Sequence, residues 1–147
     1  MKSLSDILLA PEKKDAAVAD LARLLEGALA NRGGLAGMAL KTGLAMLKSG
    51  RPDVLERGAA RMLPEFAAQL QPLFERFQKE GGADFTGFLK KNSGEAATVL
   101  AHTIDQLMST SQNATAKSLY AKFRGGADKD IAAMVPEVGR LVQKYLA

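Results

Sequence analysis

The chain has 147 residues, with 20 basic side chains, 16 acidic ones and a single histidine. At 47% hydrophobic and 24% charged it has the balance of an ordinary folded domain, which excludes disordered, collagenous and low-complexity classes. With no cysteine, disulfides, thiolate metal sites, iron–sulfur clusters and thiol nucleophiles are excluded together, and a reducing compartment fits.

The net charge of +4 is spread evenly, with 10 of the 20 basic and 8 of the 16 acidic side chains in residues 1–74. There is no charged tail. The length predicts one domain over residues 1–147. Asp6 interrupts the first apolar run and Pro11 ends it, which argues against a signal peptide. No stretch approaches the ~18 consecutive apolar residues of a membrane span. The expectation is a soluble, cytoplasmic, bacterial protein.

Alanine and leucine dominate and period-2 alternation is absent, so the pattern is helical throughout. A first long helix is predicted from Pro11–Glu12, with Val18, Leu21, Ala22, Leu25 and Leu29 on one face. Asp20, Arg23 and Asn31 fall on the other face. Gly33–Gly34 should stop it. The segment from Leu35 to Lys48 is apolar around nearly its whole circumference, apart from Lys41 and Lys48. A helix of that kind is expected to be buried, so it is assigned as the central helix of the bundle. Both lysines should reach out to solvent. Gly37 and Gly43 should admit close neighbours.

A long helix follows Gly50 and Pro52. Its stripe of Leu55, Ala59, Met62, Phe66, Leu70, Leu73 and Phe77 continues through Pro64 and Pro72, which point away from it. One bent helix is preferred to two. Gly81–Gly82 ends it, and Asp84 should cap a short helix carrying Phe85, Phe88 and Leu89. The phenylalanines from 66 to 88 are expected to pack against the 35–48 helix. Ser93 should cap a helix with Ala96, Leu100, Ile104 and Leu107 inward. Asn113 should start another, with Ala116, Leu119, Tyr120 and Phe123 inward. After Gly125–Gly126, Asp128 should cap a last bent helix with Ile131, Val135, Val138, Val142 and Tyr145 inward and Pro136 outward. Gly-Gly-Ala-Asp occurs at 81–84 and at 125–128, and two stops followed by two caps explain it better than a repeat.

No chemistry stands out. One histidine, His102, cannot supply a metal cluster, and no nucleophile elbow or phosphate loop occurs. His102 and Asp105 share a polar helix face and read as a solvated pair. The best nucleic-acid candidate is Lys117, Lys122 and Arg124, in an acid-free stretch with Tyr120 between them. Tyr120 also belongs to the inward stripe, and cations suit a helix C-terminus. Met38, Met46, Met62, Met108 and Met134 fall near inward positions, where they fill either a core or an apolar ligand cavity.

Three elements carry a resemblance. They are Leu8-Leu9-Ala10-Pro11 through Gly33-Gly34-Leu35, then Leu63-Pro64-Glu65-Phe66, then Tyr120-Ala121-Lys122-Phe123 through Val135-Pro136-Glu137. Together they resemble a family of small bacterial proteins of unknown function. The resemblance implies one helical domain in a bacterial cytoplasm, and no active site to carry over. The expected architecture is an all-α single-domain bundle of about six to eight helices around a buried central helix. The expected role is non-catalytic, through a protein partner or self-association, with no cofactor, metal or membrane contact. An enzyme stays open only because carboxylates and lysines can act without signature spacing. The alternatives are an apolar small ligand in the helical core, or weak nucleic-acid binding through Lys117, Lys122 and Arg124.

Overall fold

A computed structural model describes residues 3–30 and 33–146. Eight helices and no strands are found among the described residues. They are α1 (Leu4–Leu8), α2 (Lys14–Ala30), α3 (Gly34–Gly50), α4 (Val54–Lys79), α5 (Phe85–Lys91), α6 (Ser93–Ser109), α7 (Ala114–Arg124) and α8 (Asp128–Leu146). The expected all-α class is found, with one core of buried side chains running from Leu4 to Tyr145.

Local chemistry sets most boundaries. Ser3 and Asp6 form a reciprocal capping box that starts α1. Asp84 caps α5 by accepting from the Gly87 amide, and Asn113 caps α7 by accepting from the Ala116 amide. Three expected boundaries move. Residues 11–13 form a turn, so α2 begins at Lys14 rather than at Pro11. Asn92, not Ser93, is the cap position of α6, and Asp128 is the first residue of α8 rather than its cap. The expected stop of α2 follows residues 31–32, which lie outside the described residues, as does the Asn31 placed on its polar face. Gly81 (φ 73°) and Gly126 (φ 75°) take the left-handed conformation expected of a glycine stop. The two Gly-Gly-Ala-Asp segments therefore differ, since one aspartate caps and the other does not.

Proline does not break α4 or α8. Pro64 and Pro72 lie on the exposed side of an unbroken 26-residue α4. Each removes the hydrogen bond to the carbonyl four residues earlier, at Ala60 and Ala68. Ala68 is exposed and Ala60 partly so, which leaves both carbonyls within reach of water. Half-buried Pro136 is accommodated inside α8 in the same way, since Ala132, whose carbonyl it leaves without a helical donor, is exposed.

The central helix is not the one the apolar pattern indicates. α4 packs against α1, α2 and α6, and α8 against α1, α2, α5 and α6. These two amphipathic helices are the hubs of the bundle. α3 lies at the edge, chiefly on α2 and α7. Only Gly37, Leu40, Leu44 and Leu47 of α3 are buried. Leu35, Met38 and Met46 are 86%, 66% and 65% exposed. At 100° per residue the buried set and the exposed set occupy opposite faces. α3 is thus apolar on both sides while only one has a partner, and its mean pattern does not distinguish that from burial. Gly43 does admit a close neighbour, because a Cβ there would meet Leu119 Cδ1 at 2.6 Å. Lys41 reaches solvent, and Lys48 pairs with Glu26 at 2.7 Å.

Phe74, Phe77, Phe85 and Phe88 pack against one another where α5 meets α4, and not against α3, whose chief partners are α2 and α7. Phe85 of α5 meets Phe74 and Phe77 of α4 edge-on, with ring centroids 5.8 and 5.0 Å apart, and stacks on Phe88 at 6.1 Å. Such geometry suits the ring quadrupoles. Two glutamines dock helix ends into this region. The Leu4 amide donates to Gln71 Oε1 at 2.8 Å, and the Phe85 amide to Gln143 Oε1 at 2.7 Å. First-turn amides have no acceptor within their own helix, so each glutamine satisfies a donor that burial would otherwise strand. Asp20 ties α2 to α8 by accepting from the Tyr145 hydroxyl (2.5 Å) and Lys144 Nζ (2.9 Å). Burial alone would raise its pKa. The bonds from Tyr145 and Lys144 and the charge of Lys144 outweigh this and hold it below the ordinary carboxylate value. Burial and Asp20 push the Tyr145 phenol up to about 12.

Candidate functional site

The opposite end of the bundle is incompletely filled. A cleft of about 520 Å³ opens between α2, the N-terminal half of α4, the C-terminal end of α6, and α7. That volume lies within the ~300–1,000 Å³ range of small-molecule sites. Its floor is buried core, including Met62, Ile104, Phe123 and Met134. Its walls are residues from the inward stripes that stay half-buried, among them Leu25, Leu29, Leu55, Leu107 and Met108. Inward-facing apolar positions that fail to bury mark where the core is short of side-chain volume.

Gly58 lies in this wall, in the second turn of α4. A Cβ there would meet nothing within 4 Å, and the residue has no positive φ. Glycine inside a helix costs about 1 kcal/mol relative to alanine. Neither close packing nor backbone conformation calls for it.

The mouth is cationic. Arg51, Arg57 and Arg61 line it, and none of the described lining residues is acidic. Arg61 Nη2 donates to Thr110 Oγ1 at 3.3 Å, which draws the guanidinium toward the end of α6. The side chains of Arg51 and Arg57 have no hydrogen-bond or ion-pair partner among the described residues. Asp53 and Glu56 are exposed nearby but do not line the cleft.

One wall is fixed by a polar latch between α6 and α7. The Tyr120 hydroxyl donates to Asp105 Oδ1, and Arg124 Nε donates to the same oxygen at 3.2 Å. Arg124 also pairs with Asp128 at 3.2 Å. Burial, then Asp105, raise the Tyr120 phenol well above its ordinary pKa. The latch holds the Tyr120 ring in the cleft wall.

The residues singled out from the sequence fall as follows. Lys117 is exposed on α7, and Arg124 lies two turns further along the same strip. Lys122 sits on a different face of the helix. Arg124 is committed to Asp105 and Asp128, while Tyr120 faces the cleft rather than standing between cations. His102 is exposed, and Asp105 is bonded to Tyr120 and Arg124, not to His102. Met38 and Met46, expected inward, are exposed, whereas Met62, Met108 and Met134 line the cleft. Arg51, Arg57 and Gly58 went unmarked in the sequence. A glycine inside a strongly periodic helix, next to an i, i+4 arginine pair, is the signal that could have found them.

Among the described residues no three carboxylates or histidines converge to hold a metal, and no helix is long and apolar enough to cross a membrane. A smaller depression beside Arg76, Lys79 and Lys91 is occupied in part by bonds from Arg76 to Glu95 and Asn92.

Fold and cleft together define an all-helical domain with an apolar, cation-rimmed cavity. The chain belongs to a family of unknown function, DUF6918, whose model matches residues 4–146. Neither curated proteins nor solved structures provide a match.

Proposed function

We propose that this chain is a non-catalytic binding protein that holds a small apolar ligand in the α2–α4–α6–α7 cleft, in a bacterial cytoplasm. The observation that carries the reading is a cleft of about 520 Å³ walled by half-buried apolar side chains, with the side-chain-free Gly58 in its wall. The reading is non-catalytic because the strongly perturbed groups, Tyr120 and Tyr145, are spent on bonds that join helices. Calorimetric titration of the full chain with dodecanol tests it. The expected result is saturable one-to-one binding that Gly58→Phe abolishes while the circular dichroism stays helical. No binding by the unmodified chain, or equal binding by Gly58→Phe, overturns it.

A second reading is favoured by the outward face of α3. Leu35, Met38 and Met46 form an exposed apolar stripe along one helix, the kind of surface that marks an interaction site. A second copy of the chain can present the same stripe about a two-fold axis, which makes apolar meet apolar. Sedimentation velocity should then show a dimer that Met38→Glu dissociates. A monomer at every concentration refutes self-association through this face.

A further inference from the structure

The cleft is apolar within and cationic only at its mouth, and that division specifies more than an apolar ligand. We infer that its ligand is a single-chain amphiphile with an anionic head group, the chain lying against the walls and the head held by Arg51, Arg57 and Arg61. This inference rests on the cleft being a binding site and adds the chemistry of the ligand. Three observations support it.

First, Arg57 and Arg61 are four residues apart on α4, so they rise from one face one turn apart. With Arg51 from the preceding turn they gather three guanidinium groups at one opening. Second, the usual fate of such cations is an ion pair, as in Arg76 with Glu95 or Arg140 with Glu137. Among the described residues Arg51 and Arg57 have none, and Arg61 has only a neutral hydroxyl. Like charges left unpaired together repel, and an anion between them removes that cost while accepting charge-assisted hydrogen bonds. Third, α7 begins at the same mouth, where Asn113 lines the cleft, and adds the partial positive charge of a helix N-terminus. A cationic or neutral head would leave all of this uncompensated. A carboxylate and a phosphate monoester both supply the required chemistry.

The test titrates the full chain with dodecanoate, dodecyl phosphate and dodecanol, which share one alkyl chain and differ in the head. One or both anions should bind about tenfold or more tightly than the alcohol. The stronger anion identifies the head group. The advantage should shrink as salt rises, because the arginines are exposed. In Arg57→Gln/Arg61→Gln the ratio of anion to alcohol affinity should fall toward one. Arg140→Gln, on the far surface of α8, should leave that ratio as it is. Equal affinity for alcohol and anions overturns the inference but leaves the cleft as an apolar site. A preference that survives the double arginine variant assigns the anion to other groups and also overturns it. If no alkyl compound binds, both readings fall.

Discussion

Phe85→Ala is expected to lower the unfolding free energy by about 3–5 kcal/mol. Urea denaturation should show the midpoint falling with little change in slope. The side chain is 0% exposed and touches the rings of Phe74, Phe77 and Phe88. Truncation removes the transfer free energy of the ring and leaves a void. Filling that void requires α4 and α5 to move together, and the Gln143 bond to the Phe85 amide resists that movement. Whole domains are stable by only about 5–15 kcal/mol, so the loss is a large share of the total. A cost below about 1 kcal/mol would show that the phenylalanine end is not the anchor of the fold.

The second large effect is a difference of sign. Gly139→Ala should destabilise the protein, and Gly58→Ala should stabilise it, although both exchange glycine for the best helix former inside a long helix. At Gly58 the new Cβ meets nothing within 4 Å, and only the propensity gain of about 1 kcal/mol remains. At Gly139 the Cβ would lie 2.8 Å from Thr86 Cα, a backbone atom of α5, and 3.4 Å from its Cβ and Cγ2. The helices must part, and overpacking of that kind costs about 1–3 kcal/mol, more than propensity returns. Thermal unfolding of the two variants beside the unmodified chain reads both signs. A stable Gly139→Ala protein would mean that α5 and α8 are not in close contact.

The sequence was most informative where one face of a helix is apolar and the other is not. The stripes of α4 and α8 name most of the buried residues of both hubs, although Leu55 is only half-buried and Leu63, Ala67, Phe74 and Leu141 widen the buried faces beyond them. They pass through Pro64, Pro72 and Pro136 because the lost hydrogen bonds lie on the outer side. Asp84 and Asn113 are legible caps because their side chains bond within their own turn. α3 misleads for a physical reason. Periodicity measures contrast between faces, and a helix apolar on two opposite faces has little, whether it is enclosed or merely covered on one side. The cleft is harder still, since a void leaves no residue to read. Leu25, Leu29 and Leu107 have the spacing of core residues, and only the bundle shows that they lack neighbours. The cations chosen from the sequence, Lys117, Lys122 and Arg124, owed their prominence to an acid-free stretch of chain. Arg124 nevertheless finds its acids in space, at Asp105 before the stretch and Asp128 beyond it.

The contrast between the two ends has a thermodynamic meaning. One end is closed by phenylalanine, and the other lacks the volume that would complete it. An occupant of the second end does there what Phe85 does at the first, except that it is borrowed from the surroundings. By mass action, an occupant at a hundred times its dissociation constant adds about 2.7 kcal/mol to the folded state. On the proposed reading, the fraction of chains open to proteolysis would fall as the occupant accumulates, and the abundance of the protein would follow the supply of that occupant.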